Sequence, residues 1–116
     1  MHEAMIEEDL RGFLARDAAL VERLRIRNVD LVVNREIDLH FFAPSPDAGK
    51  KLVEALRTIW VGIEDIGHAD PGTGQVSVTY TVHQSVLYVT TPATVERRIR
   101  LAAGLGVIHD GWGTRL

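Results

Sequence analysis

Asp38, His40, His109 and Asp110 are the residues whose types suit chemistry most directly. Two carboxylates and two imidazoles can hold a divalent metal or pass protons, provided the fold brings them to one place. Their spacing is a weak signal. Asp-x-His is common on strands, and no His-x-x-x-His repeat completes a metal motif. The structural reading is preferred: Asp38 and His40 point to the less buried side of a strand, and Asp110 accepts backbone N–H bonds in a glycine-rich turn. Accordingly no catalytic residue, metal or cofactor is assigned.

Other polar and glycine motifs carry less. Ser45, Ser77 and Ser85 lack a Gly-x-Ser-x-Gly elbow, so no activated serine is expected. A phosphate loop lies between a strand and a following helix. Gly104-Leu105-Gly106 instead follows a helical pattern, and only four residues come after Trp112 in the Gly111-Trp112-Gly113 segment. These glycines are expected to cap a helix and to form a tight terminal turn. Trp112 suits either a partner-binding anchor or the core at a sheet edge, and the core role is favoured. Trp60 is expected to pack inside.

The elements that would position these residues are legible from periodicity. Ile6, Leu10, Phe13, Leu14, Ala18, Val21 and Leu24 follow helical spacing, giving a helix over about 3–27 with acids early and arginines late. Glu7 and Arg11 are placed as an i,i+4 pair. Ile37, Leu39 and Phe41 alternate with Asp38, His40 and Phe42 as on a half-buried strand, so Phe41 and Phe42 face opposite sides. Ser45-Pro46 starts a helix carrying Ala48, Leu52, Ala55, Leu56 and Ile59. A strand over 61–66, the turn Asp70-Pro71-Gly72-Thr73-Gly74 and the alternation of Val76, Val78, Tyr80 and Val82 make a hairpin.

Alternation breaks at His83-Gln84-Ser85, and the apolar run 86–89 suggests a bulge or a change of environment, with a further short strand as another reading. Thr91-Pro92 opens a last helix with Val95, Ile99, Ala102 and Ala103 inward, and Arg97, Arg98 and Arg100 on a solvated face. A strand over 107–112 completes the chain. The order helix, then β-α-β-β-α-β, predicts the α+β class and a ferredoxin-like sandwich, one antiparallel sheet with helices on one face. The extra helix, residues 1–30, needs a partner for its stripe: a sheet edge, the open sheet face or a second subunit in a homodimer. The core spans 31–116.

Composition narrows the class. At 116 residues, with 46% apolar and 25% charged residues, a single globular domain is expected. Net charge is −3, from 13 basic and 16 acidic residues, which argues against broad direct nucleic-acid binding. The chain has no cysteine, excluding disulfides and thiolate chemistry. No apolar signal region or stretch long enough to span a bilayer is apparent, so a cytoplasmic protein without membrane contact is expected.

The tail His109-Asp110-Gly111-Trp112-Gly113-Thr114, following a helix rich in small apolar residues, carries a family resemblance. So does Asn34-Arg35-Glu36-Ile37-Asp38-Leu39-His40-Phe41-Phe42, the strand before the first crossover helix. With the element order, they make residues 33–116 similar to the RraB family, which includes protein inhibitors of ribonuclease E. The family commonly has an aromatic before its Asp-Gly-Trp, where His109 stands here. The resemblance implies a ferredoxin-like fold and a non-enzymatic regulator acting by binding a protein partner, a ribonuclease E-like enzyme that governs RNA turnover. It places partner-binding positions at Arg35, Asp38, His40, His109, Asp110, Gly111, Trp112 and Gly113. Two other readings stand beside it: a small-molecule or metal-binding module centred on the four polar residues, and a weak single-stranded RNA binder using the open sheet face.

Overall fold

A computed structural model describes residues 2–114; Met1, Arg115 and Leu116, which close the expected domain at its two ends, lie outside the described residues. The elements are α1 (His2–Ile26), β1 (Arg35–Ala43), α2 (Pro46–Arg57), β2 (Gly62–Ile66), β3 (Val76–Gln84), a single turn α3 (Val86–Val89), α4 (Pro92–Gly104) and β4 (Ile108–Thr114). They form an α+β fold around a four-stranded sheet with strand order β2-β3-β1-β4. All three strand pairs are antiparallel.

The period-2 segments form the two central strands. Ile37, Leu39, Phe41 and Ala43 of β1 are buried, and lie in register with Val82, Tyr80, Val78 and Val76 of β3. Leu52, Val53 and Leu56 of α2 close over this side, with Trp60 after them. The Trp60 indole N–H donates to Tyr88 Oη at 2.7 Å, and the Tyr80 hydroxyl donates to the Trp60 carbonyl at 2.6 Å, so both aromatics bury their polar ends in bonds. Asp38, His40, Thr79 and Thr81 lie on the opposite side, only partly buried, and Phe42 and Ser77 there are exposed.

Local chemistry sets the boundaries. Ser45 Oγ accepts from Ala48 N at 3.2 Å and Pro46 occupies the first turn of α2. Asp70 Oδ1 accepts from the N–H groups of Gly72 and Thr73, and Gly74, with φ +76°, donates to the Asp70 carbonyl. The Gly72 and Thr73 bonds to the carboxylate favour its ionised form and lower the Asp70 pKa.

Four expectations are corrected. The run 86–89 is neither a strand nor a bulge but a helical turn capped by Ser85 Oγ, which accepts from Tyr88 N at 3.1 Å. Val86 and Val89 fall on one side and are buried, while Leu87 and Tyr88 face out. β3 continues regularly through His83 and Gln84 because β1 extends to Glu36 and Arg35 opposite them. On α1, Ala18 is exposed and Asp17 takes the inward position. Glu7 and Arg11 form no ion pair; among the described residues, the ion pairs within a single helix are Glu22 with Arg25 and Glu96 with Arg100.

The first helix packs chiefly on α4. Ile6 joins Val95 and Ile99 in a second apolar cluster, while Leu24 reaches the main core. The stripe thus finds its partner within the chain, beside the other helices. Among the described residues no helix is long and apolar enough to cross a membrane.

Candidate functional site

The strand β4 decides where the motif residues point. It pairs with β1 as Leu39↔Trp112, His40↔Gly111 and Phe41↔His109, and the register shifts between His40 and Phe41. Asp110 is therefore the extra residue of a β-bulge, and Gly111 beside it has φ +115°. Gly111-Trp112-Gly113 lies inside a strand, not in the tight terminal turn expected of it, because β1 supplies a partner as far as Thr114.

The bulge separates the four polar residues. His109 turns to the helix side and is 8% exposed, set edge-on to Phe13 at 4.4 Å between ring centroids and tilted to Phe41 at 5.4 Å. Asp38 and His40 lie on the opposite side, where Thr81 Oγ1 donates to Asp38 Oδ1 at 2.6 Å and Thr79 Oγ1 is 3.4 Å from His40 Nδ1. A Cβ on Gly113 would lie 3.6 Å from His40 Nε2, so Gly113 sits beneath that imidazole. The Asp110 side chain is exposed and makes no hydrogen bond, in place of the backbone bonds expected of it. Arg35 donates from Nη2 to the Asp30 carbonyl at 3.0 Å, tying the segment after α1 to the start of β1. Among the described residues, no group of three or more His, Asp and Glu side chains is placed to hold a metal ion.

Two charged residues that sequence reasoning missed complete the helix side. Trp112, opposite Leu39 and partly buried, donates its indole N–H to Asp17 Oδ1 at 2.8 Å. Arg98, expected on a solvated face, is 1% exposed. It donates from Nη1 to the Val89 carbonyl at 2.8 Å and from Nε to His109 Nε2 at 3.3 Å. Asp17 Oδ2, Arg98 Nη2 and His109 Nδ1 are buried without a hydrogen-bond partner. The signal for both residues was available: Asp17 lies four after Phe13 and seven before Leu24, and Arg98 lies three after Val95, so each falls on an apolar stripe.

Burial dominates the electrostatics of this cluster. It lowers the His109 pKa to about 3, helped by the positive charges of Arg98 and Arg16. It lowers the Arg98 pKa to about 10, against the pull of Asp17. Burial also raises the Asp17 pKa, opposed by the Trp112 bond and by Arg98 and Arg16. At neutral pH the ring is neutral and the guanidinium charged. An imidazole held neutral, accepting at Nε2 from a fixed cation, ties α4 to β4 and is a poor proton shuttle.

Among the open surfaces of the described residues, two lie on α1 at opposite ends. A groove of about 280 Å³ runs between the second half of α1 and the end of β4, lined by Leu20, Arg23, Leu24, Arg27, Trp112, Gly113 and Thr114. At the other end of α1, Glu7, Glu8 and Asp9 are exposed.

Compared with known proteins, no curated protein gives a significant match. A protein-family profile does: the one described as Regulator of ribonuclease activity B matches residues 15–114. The matched span begins within α1 and takes in Asp17, Arg98 and the whole of β4. With nearly all of its length covered, the chain belongs to the RraB family.

Proposed function

We propose that this chain is a non-enzymatic regulator that binds a ribonuclease E-type endoribonuclease and limits its access to RNA. The observation that carries the reading is the family match over residues 15–114, to a family described by its regulation of ribonuclease activity. The geometry agrees with it. The polar residues suited to proton transfer are divided between two sides of a sheet, and the most buried of them is held neutral.

The strand order β2-β3-β1-β4, all antiparallel, is the arrangement by which we read the fold as ferredoxin-like, with residues 1–116 forming one cytoplasmic domain. Within it His109, Gly111 and Gly113 shape β4, while Asp38, His40, Asp110, Trp112 and Arg35 lie where a partner can approach. Regulation by occlusion follows. The exposed Glu7, Glu8 and Asp9 meet a basic segment of the enzyme, since complementary charge steers encounter and fixes register.

The test is direct. Purified chain is titrated into ribonuclease E cleaving a short single-stranded RNA, and complex formation is followed by sedimentation velocity. Saturable inhibition with a stoichiometric complex is expected. Unchanged cleavage without a complex, or cleavage by the chain alone, would overturn the reading.

A further inference from the structure

The groove beside β4 joins an apolar floor to a cationic rim. Leu20, Arg23, Leu24 and Arg27 are spaced i, i+3, i+4, i+7, so they form one stripe of α1, with leucines towards the floor and exposed arginines along the rim. Trp112 completes the apolar floor. Among the described residues, neither rim arginine makes a side-chain hydrogen bond or an ion pair. Arg25 is paired with Glu22, Arg57 with Glu64, and Arg100 with Glu3 and Glu96, while the exposed Arg11 and Arg97 share the unpaired state of the rim arginines. Two unmatched cations therefore flank an apolar trough.

The trough also runs along an edge. β4 is the last strand of the sheet, so the side away from β1 presents backbone N–H and C=O groups to no strand. The bulge at Asp110 blunts the first half of that edge. Beyond it, Trp112, Gly113 and Thr114 keep unbroken register with Leu39, Asp38 and Ile37. A regular edge offers alternating donors and acceptors, which an extended peptide can match and a phosphate backbone cannot.

We propose that this groove docks an acidic peptide segment, which adds beside Trp112–Thr114 as a further strand, buries one apolar side chain against Leu20, Leu24 and Trp112, and places carboxylates on Arg23 and Arg27. The inference goes beyond the ribonuclease reading, because any protein carrying such a segment would serve and the test contains no ribonuclease.

The probe is a capped synthetic peptide of about eight residues alternating Glu with Val and Leu, titrated into the isotope-labelled full chain and followed by NMR. Saturable shifts are expected at the Trp112 indole and at the Gly113 and Thr114 amides, with slowed exchange of those amides. The double variant Arg23→Ala/Arg27→Ala, altered only at exposed positions, weakens binding about tenfold. Arg23→Glu/Arg27→Glu transfers the preference to a peptide with Lys in place of Glu. Absence of saturation overturns the proposal, as does binding indifferent to both double variants. Equal binding of a single-stranded RNA oligonucleotide overturns it too, and so do groove shifts that follow protein concentration alone, the mark of a second copy of the chain.

Discussion

Arg98 is a cation taken almost wholly out of water, with a carbonyl and an imidazole for company and the Asp17 carboxylate beyond ion-pair contact. Burying a charge costs several kcal/mol unless hydrogen bonds and opposite charge offset it. The neutral form of His109 is part of that offset: its Nε2 can accept from Arg98 only while it carries no proton. Stability therefore depends on pH. His109 titrates near 6.5 when unfolded and at about 3 when folded, so the unfolded chain binds the extra proton between these values. The stabilisation is complete above about pH 6.5 and is lost as pH falls, by at most about 1.4 kcal/mol per unit. Asp17 works the other way. Its folded pKa is raised above 3.8, so its contribution is present below that value and declines as pH rises through the folded pKa. His109→Gln keeps an acceptor near Arg98 and removes the titration. Urea unfolding at pH 7 and pH 5 should show the parent losing about 1 to 2 kcal/mol more than the variant. Equal losses would mean that His109 is protonated in the native state.

The bulge in β4 is the element on which this arrangement turns. Without it, Asp110 and not His109 would lie opposite Phe41, and every side chain before it would exchange faces. Gly111 makes the bulge possible, since φ +115° is strained for any residue with a Cβ. A methyl group there would meet Phe13 Cε1 at 3.9 Å, an ordinary contact, so the cost of Gly111→Ala is conformational. Thermal unfolding should show a loss of about 1 to 3 kcal/mol, with the indole N–H resonance of Trp112 shifted as its bond to Asp17 is disturbed. A variant as stable as the parent would place no strain at Gly111. Much of the rest was legible in sequence. Strict alternation on β1 and β3, the Ser45-Pro46 cap and the Asp70 turn are each written in residues close together in the chain. The turn at 86–89 was not legible, because four consecutive apolar residues suit a strand and a helical turn equally. Nor was the division of the polar residues, since a bulge is defined by the partner's register and leaves only a glycine as its local trace. Arg98 was misplaced for a related reason: its helical phase pointed inward, but its charge outweighed the phase.

At the scale of the molecule, α1 is bipolar, with exposed Glu7, Glu8 and Asp9 at one end and exposed Arg23 and Arg27 at the other. The opposite ends present opposite fields, so the two proposed contacts, with a basic segment of a ribonuclease and with an acidic strand, fall on separate parts of one helix. Steering by the acidic end acts on encounter rather than on the bound state. Replacing Glu7→Gln, Glu8→Gln and Asp9→Asn together leaves the fold intact, because all three side chains are exposed and none is ion-paired. Stopped-flow mixing with the ribonuclease at about 50 mM salt should then show association several-fold slower, with dissociation almost unchanged. At about 0.5 M salt the Debye length shrinks to a few ångströms, and parent and variant should associate at the same rate. A variant that associates as fast as the parent at low salt would remove the acidic end of α1 from the interface. A difference that persists at high salt would mean that these side chains are desolvated contacts in the complex, a packing role in place of a steering one.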